Sequence, residues 1–249
     1  MSLVAIVGDV STTSATALAL GWPAGTSVVL VEADPSGGDL AAWFDLPTTP
    51  GLASAVAAAP TGSWPMMSDH LLHAHGVDLL VAPGRAGDAE HAVTEAGTRL
   101  VPTFAALEDV TVIADCGWAH VAHLSSFVLH ADVVLVTVRP SVASDRAAAV
   151  HLDRHGELVD ALAARGLPVT ALVVTGGLYN SVEVGAFLGG PAGPLPVVEL
   201  ADDSAGAMVI AGRAGSRRGV ERSPLLRSAS TAASTLATQV AATVGERVR

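Results

Sequence analysis

Four polar segments of this chain directly follow apolar runs, and they carry side chains of types that bind ligands. They cover residues 8–14, 32–39, 115–117 and 139–140. The first segment is rich in hydroxyl groups and opens a helical stretch, whose N-terminal amides attract anions. The second and third segments supply carboxylates, and the fourth supplies an arginine. If the segments meet in the folded chain, they form a candidate binding site.

The apolar runs themselves predict seven strands, separated by alanine-rich helices. Because the runs are apolar almost throughout, we expect strands that helices cover on both faces. The predicted strands cover residues 3–8, 27–32, 77–82, 110–115, 132–138, 169–175 and 196–200. The predicted helices cover residues 13–20, 38–44, 52–58, 87–98, 120–130, 141–164, 182–188, 204–212 and 223–248. Ser223 is the expected N-cap of the last helix, with Pro224 in its first turn.

This alternation predicts an α/β fold: a doubly wound, mainly parallel sheet in three α/β/α layers, with the first strand central. No repeat or low-complexity linker divides the chain, so residues 1–249 are interpreted as a single domain that ends in a helix at 223–248. Ligands of such sheets bind beyond the carboxyl ends of the strands. The four polar segments all lie at that edge, which is therefore the candidate site.

The basic residues limit the possible functions, because all 13 are arginine and the chain has no lysine. Mechanisms that need a lysine in the same chain, such as a P-loop lysine or a Schiff base, are excluded. The net charge of −11 argues against nucleic acid or anionic lipid as a partner. A single cysteine, Cys116, fits a reducing compartment, and no apolar run is long enough to span a membrane. We therefore expect a cytoplasmic protein.

Taken in order, the polar segments and their strands resemble motifs of the MinD/ParA family of deviant P-loop ATPases. VVLVEADPSGGDL is similar to the family's strand ending in D-x-D-P-x-G, and VIADCG resembles its Walker B strand. ADVVLVTVRP resembles the strand that follows. More narrowly, the chain resembles an actinobacterial MinD-like group with an eroded phosphate-binding loop, linked to partitioning or pilus assembly. The resemblance covers most of residues 3–210 and implies a P-loop NTPase-like fold.

This resemblance implies roles for individual residues at the edge of the sheet. The nucleotide-binding positions would be Gly8, Ser11, Thr12, Thr13 and Ser14. Thr13 and Asp115 match the Mg²⁺ ligands, and Asp34 matches the catalytic carboxylate that orients the attacking water. The alternative is that Asp34 and Asp39 cap the turn and helix after the second strand. With Asp9 also nearby, at least one carboxylate should have a raised pKa unless cations pair with them.

The phosphate-binding loop departs from the family pattern K-G-G-x-G-K-T-T. Val7 and Thr12 stand where the family has lysines, and Asp9 and Ser11 replace glycines. Such loops hold phosphates with unobstructed backbone N–H groups and a lysine, whereas here Cβ atoms crowd the turn and a carboxylate enters it. A carboxylate about 4 Å from a phosphate charge costs roughly 4 kcal/mol at an effective dielectric constant near 20. We therefore expect ATPase chemistry to be lost.

Two further groups contain residue types that bind metals. They are His70, His73 and His75, and Cys116, His120 and His123. A structural zinc site needs four tetrahedral ligands with supporting neighbours, and Cys116 ends a buried strand. A catalytic Cys116–His120 pair would lack a residue to orient the histidine. Neither group is predicted to bind a metal or to act in catalysis.

The predicted C-terminal helix carries a stripe of mostly small apolar residues opposite neutral polar ones. A membrane-surface helix has Lys or Arg flanks and larger apolar residues, so we expect this one to pack on its own sheet or on another subunit. Five arginines precede or open it: Arg213, Arg217, Arg218, Arg222 and Arg227. We expect the first four to bind another protein chain; the alternative is that they neutralise the domain's own carboxylates.

The sequence therefore predicts a MinD/ParA-like binding or scaffold module for positioning, partitioning or pilus assembly, without a cofactor. Its expected partner is another protein chain, either a second copy or a lysine-bearing paralogue. The alternative is an active switch that binds Mg-ATP and uses an arginine, such as Arg139, in place of the lysine. A ligase of the same fold also needs the P-loop lysine and ranks last.

Overall fold

The strands of the protein form a single twisted sheet in the computed structural model, which describes residues 2–59, 68–105, 107, 110–140, 143–213 and 222–247. The strands are β1 (Ser2–Gly8), β2 (Ser27–Glu32), β3 (Leu72–Ala74), β4 (Val77–Leu80), β5 (Val110–Asp115), β6 (Val133–Val138), β7 (Val169–Val174) and β8 (Val197–Leu200). Their order is β3-β4-β2-β5-β1-β6-β7-β8, and every pair is parallel except β3 with β4 at one edge. The first strand is central, as predicted.

Helices connect most of these strands and cover both faces of the sheet. They are α1 (Ser11–Leu20), α2 (Leu40–Phe44), α3 (Leu52–Ala58), α4 (Ala86–Arg99), α5 (Val101–Ala105), α6 (Ser126–Leu129), α7 (Asp145–Ala163), α8 (Ser181–Gly189), α9 (Ser204–Ile210) and α10 (Pro224–Arg247). A 3₁₀ turn, Gly190–Ala192, follows α8. Among the described residues, no helix is both long and apolar enough to cross a membrane.

Two hydrophobic cores lie on opposite faces of the sheet. Side chains alternate along a strand, so Leu3, Ala5 and Val7 of β1 face one core, while Val4 and Ile6 face the other. Helices α3 to α8 close the first core, and α1, α2, α9 and α10 close the second. This arrangement confirms the predicted doubly wound, three-layer architecture.

Helix α10 packs on the chain's own sheet, which is one of the two arrangements predicted for it. Leu225, Leu236 and Val240 are buried in the core that α10 shares with α1 and β8. The two helices approach closely where α1 ends, because a Cβ on Gly21 would lie 2.8 Å from the Ser230 nitrogen. Ser223 caps the helix as expected, its hydroxyl oxygen accepting from the Leu226 amide at 3.2 Å.

The structure corrects one predicted helix and adds two elements. The helix expected over residues 120–130 is confined to α6, because the His120 ring accepts the Ala122 amide in a turn before it and Ser125 caps the start of α6 by accepting from the Val128 amide. The edge strand β3 has only three residues, too few to show an alternating pattern. The short helix α5 directly follows α4 and was not predicted as a separate element.

Candidate functional site

The carboxyl ends of four strands bring the polar segments together. Strand β1 lies between β5 and β6, with Ile6 opposite Asp115 and Gly8 opposite Thr137. Strand β2 pairs with the other side of β5, so Glu32 lies opposite Asp115. The convergence predicted from the order of the segments is therefore present in the structure.

The turn between β1 and α1 is tight and carries backbone strain. Gly8 has φ +108°, and a Cβ there would lie 2.5 Å from the Thr137 carbonyl oxygen, so only glycine fits. Val10 adopts a left-handed conformation with φ 45° and ψ 34°, which is unfavourable for a β-branched residue. No side chain caps α1, and nothing in the described part of the chain accepts from the amides of Ser11, Thr12 or Thr13. The helix N-terminus therefore keeps the donors that attract anions.

The carboxylate of Asp9 is held by groups from β6 and α7. Its Oδ2 accepts from the Arg139 amide at 3.0 Å and lies 2.7 Å from Nε2 of His151. Nε2 of His155 is 3.4 Å from the same oxygen. Burial raises the pKa of Asp9, but the neighbouring His155 ring, the Arg139 amide and the His151 ring outweigh it and lower the pKa below its ordinary value. The carboxylate expected to oppose phosphate is thus ionised and bonded to α7.

Asp115 and Asp34 lie close together beneath the start of α1. Asp115 is only 2% exposed. Burial raises its pKa, against the lowering effect of the Thr12 and Ser11 hydroxyls and the Gly117 amide, and Asp34 raises it further. The raised pKa expected among the crowded carboxylates is found here, and burial is its largest cause.

Asp34 itself forms a local turn, as the alternative interpretation of this residue proposed. Its Oδ1 accepts from the Ser36 amide at 2.7 Å. Its carboxylate also lies against Gly117, where φ is +64° and any Cβ would overlap the Asp34 side chain. Asp39 occupies the N-cap position of α2 without making a side-chain hydrogen bond to the helix.

Glu32 organises the loop that follows β2, a role that the sequence did not reveal. Its Oε1 accepts from the amides of Asp39 and Leu40, each at 2.6 Å, and Oε2 accepts from the Ala82 amide at 2.8 Å. Burial raises the pKa of Glu32 to about 7, although these three amides lower it. The residue joins the end of β2, the start of α2 and the segment after β4.

A cavity of about 230 Å³ opens beside the first turn of α1. Its lining includes Thr13, Ser14, Arg139 and the loop that follows β8. The Arg139 guanidinium is engaged at the rim by Asp202, with Nη2 at 3.0 and 3.1 Å from the two carboxylate oxygens. The hydroxyl of Ser14 is buried and finds no partner within the described residues. The cavity therefore combines apolar walls with hydroxyl groups, one arginine and the carboxylates of Asp202 and Asp203.

The arginines expected to bind a partner are only partly described. Arg213 and Arg222 are exposed, and they flank a segment that contains Arg217 and Arg218. Arg217 and Arg218 lie outside the described residues.

The other histidine and cysteine groups have structural surroundings. Nδ1 of His70 lies 2.9 Å from the Ser54 hydroxyl, and Nδ1 of His73 lies 2.9 Å from the Asp78 carboxylate. Cys116 is buried, and burial raises the pKa of its thiol. In the described residues, the geometry of a metal site is found only at Asp9, His151 and His155.

Comparison with known proteins establishes the fold of the chain. No protein-family model and no curated protein matches the sequence. A ParA family ATPase from Chlorobium tepidum is 17% identical and superimposes over 93% of this chain and 97% of its own, with a TM-score of 0.67. MinD from Pyrococcus horikoshii, complexed with Mg-ADP, is 13% identical and superimposes over 94% of this chain and 95% of its own, with a TM-score of 0.68. A chain of the MinC:MinD cell division complex of Aquifex aeolicus is 16% identical over 96% of both chains, with a TM-score of 0.65.

These neighbours confirm the predicted fold class. The chain has the P-loop NTPase fold of the MinD and ParA ATPases. Ligands of open α/β sheets bind beyond the carboxyl ends of the strands, which here is the edge formed by β1, β2, β5 and β6.

Proposed function

We propose that this protein is a MinD/ParA-like binding or scaffold module for positioning, partitioning or pilus assembly, and that ATP hydrolysis has been lost. The observation that carries the proposal is the turn between β1 and α1. The chain has no lysine to meet a phosphate, and Asp9 places an ionised carboxylate in the turn. Any phosphate bound there would meet a negative charge without the cation that such loops normally supply.

The acidic residues of the edge support the same conclusion, because each already has a role within the fold. Oδ1 of Asp34 is bonded to the Ser36 amide, and Glu32 is bonded to three amides. Asp115 is buried beneath the hydroxyls of Ser11 and Thr12. A catalytic role for Asp34 would require it to orient a water molecule while keeping its turn.

Calorimetry with Mg-ATP and Mg-ADP tests the proposal directly. We expect no binding tighter than about 0.1 mM, which corresponds to roughly 5.5 kcal/mol. The variant Asp9→Gly/Ser11→Gly/Thr12→Lys restores the elements that a phosphate loop needs and should bind more tightly than the wild type. Micromolar binding by the wild type, lost in Asp115→Ala, would overturn the proposal.

The second candidate is an active Mg-ATP-dependent switch, and one observation favours it. The first amides of α1 are free of partners among the described residues, and the neighbouring cavity is lined by Thr13, Ser14 and Arg139. In this case Thr13 and Asp115 would hold Mg²⁺, and Arg139 would replace the lysine. Arg139→Ala should then weaken nucleotide binding, whereas the exposed Arg146→Ala should not.

For the partner, the proposal is another protein chain bound at the arginines 213, 217, 218 and 222. A net charge of −11 makes a basic patch a distinctive surface, and complementary charge speeds association. The similar Aquifex fold occurs in a complex with MinC, which is a precedent for a protein partner. Sedimentation of the wild type and of Arg217→Ser/Arg218→Ser/Arg222→Ser first tests whether the partner is a second copy of this chain. An unchanged association state would exclude a second copy bound at these arginines, and a lowered melting temperature beside it would give them a structural role.

A further inference from the structure

Asp9, His151 and His155 form a cluster of which the proposed function uses only the charge of Asp9. The two histidines are four residues apart on α7 and therefore lie on the same face of the helix. Their ring centroids are 4.7 Å apart, and one atom from each of the three residues lies within 4.8 Å of the others. Imidazole nitrogens with one carboxylate oxygen are a ligand set that suits zinc and related transition metals.

The hydrogen bonds of His155 leave one nitrogen free to bind a cation. Nδ1 lies 2.9 Å from the His151 carbonyl oxygen, and because a carbonyl only accepts, Nδ1 carries the hydrogen. Nε2 is completely buried and has no hydrogen-bond partner in the described structure. Metal-binding histidines commonly donate their other ring N–H to a backbone carbonyl in this way, which fixes the orientation of the ring.

The spacing of Nε2 of His155 from Asp9 favours a metal ion over a proton between them. The two atoms are 3.4 Å apart, whereas a charge-assisted N–H···O bond is about 2.7–2.9 Å long. Two ligands of a tetrahedral ion with bonds of 2.0–2.1 Å lie about 3.3 Å apart. Nε2 of His151, at 2.7 Å from Asp9, would move by about 0.6 Å to reach that spacing. Its side chain is about one-quarter exposed and has room to do so.

The surroundings of the cluster provide support and access. The Arg139 amide holds the Asp9 carboxylate at 3.0 Å, and the Trp118 ring packs edge-on against His155 at 5.1 Å between centroids. On the other side, His151 lines a cavity of about 660 Å³. Arg139, Arg146 and Arg154 line the same cavity, so an anionic fourth ligand is favoured over a neutral one.

We propose that Asp9, His151 and His155 bind a divalent transition-metal ion of the zinc class, with Asp9 Oδ2 and both Nε2 atoms as ligands. The fourth position faces the cavity and takes water or a small anion such as chloride. The site does not require nucleotide, because two of its ligands lie on α7 and the amides at the start of α1 are not among them.

Titration of the full chain with Zn²⁺, in competition with a chromophoric chelator and without nucleotide, tests the proposal. We expect one ion to bind with a Kd below about 10 μM, and Co²⁺ to give the visible absorption of a tetrahedral site. His151→Gln and Asp9→Asn should each weaken binding at least about 30-fold, since each removes a direct ligand. Both residues are partly exposed, so both variants should fold; His155→Gln adds a third test if its melting temperature is close to that of the wild type.

His120→Gln/His123→Gln is the matched control, because it removes a second histidine pair whose ring centroids are 6.0 Å apart. This variant should bind Zn²⁺ as the wild type does. Equal affinity of the wild type and His151→Gln would overturn the proposal, as would loss of the ion in the control variant. Binding of Mg²⁺ or Ca²⁺ with the exclusion of Zn²⁺ would also contradict it.

Discussion

Asp9 and Glu32 lie at the same edge of the sheet, yet they are held in opposite ways. All three groups that bond Glu32 are backbone amides, from Asp39, Leu40 and Ala82. Asp9 is bonded by one amide and contacts two histidine side chains. The pKa of Glu32 is raised to about 7, chiefly by burial, whereas that of Asp9 is lowered by its partners in spite of burial.

The difference separates a carboxylate that fixes the path of the chain from one that can exchange its partners. Backbone amides cannot leave Glu32 unless the loop unfolds, so this residue acts as a scaffold. Side chains can rotate, so the histidines around Asp9 can bind a cation instead. Resemblance to a family aligns both positions with a nucleotide site, but only the contacts show which carboxylate is available for chemistry.

Removing Glu32 should have the largest effect on stability. Glu32→Ala leaves three amides without their acceptor, and we expect it to lower the free energy of unfolding by about 3–5 kcal/mol. Urea denaturation at pH 6 measures the change. Asp39→Ala is the control, because Asp39 is exposed and its side chain does not cap α2; it should cost less than about 0.5 kcal/mol. Similar losses in the two variants would refute the scaffold role.

The pH dependence of stability should also depend on Glu32. Its pKa is about 7 in the folded chain against an ordinary value of 4.5. Between these values the unfolded chain ionises while the folded chain keeps its proton, so stability falls as pH rises and levels off above about 7. Relative to Glu32→Gln, the wild type should lose about 3 kcal/mol between pH 4.5 and 8. Parallel curves for the two proteins would show that Glu32 ionises at its ordinary pKa.

Val10 tests whether the turn beside Asp9 is strained. A left-handed conformation costs an L-residue about 1–2 kcal/mol, and glycine loses about 0.5–1 kcal/mol of backbone entropy. Val10→Gly should therefore stabilise the chain by about 0.5–1 kcal/mol in thermal or urea unfolding. Val150→Gly, at an exposed position inside α7, should destabilise it by a few tenths of a kcal/mol. If both variants destabilise the chain, the backbone at Val10 is not strained.

His151 should give the smallest change in stability. In the presence of a chelator, His151→Gln leaves Asp9 bonded to the Arg139 amide and partly exposed to water, so we expect a cost of only about 0.5 kcal/mol. Comparison of its urea midpoint with that of Glu32→Ala measures the contrast directly. A cost as large as that of Glu32→Ala would make Asp9 a second scaffold residue.

The sequence predicted the fold well where the apolar runs were long. Strands β2 and β5 have the predicted bounds, and the meeting of the polar segments followed from the parallel topology. The helix expected over residues 120–130 was mostly wrong, because the His120 ring accepts a local amide and Ser125 caps a helix that begins only at residue 126. The pattern of apolar residues does not show which backbone amides will be bound by side chains.

Partners that are distant in the sequence explain what could not be predicted at the site. The four-residue spacing of His151 and His155 was visible, but their carboxylate lies 142 residues before His151 and required the pairing of β1 with β6 to be known. Glu32 likewise reaches the Ala82 amide, 50 residues later. No pattern of neighbouring residues in the sequence predicts either contact.

The packing of α10 on α1 has a consequence for synthesis of the chain on the ribosome. Helix α1 packs against α10, and Ala15 and Leu18 of α1 share a buried core with Ala229 and Leu236 of α10. A nascent chain therefore exposes this apolar face until the residues of α10 have been made. Strand β1 also needs β5 and β6, more than 100 residues later, before its edges are paired. We expect this domain to complete its folding only after α10 has been made, and chaperones to have their best opportunity to bind just before α10 emerges.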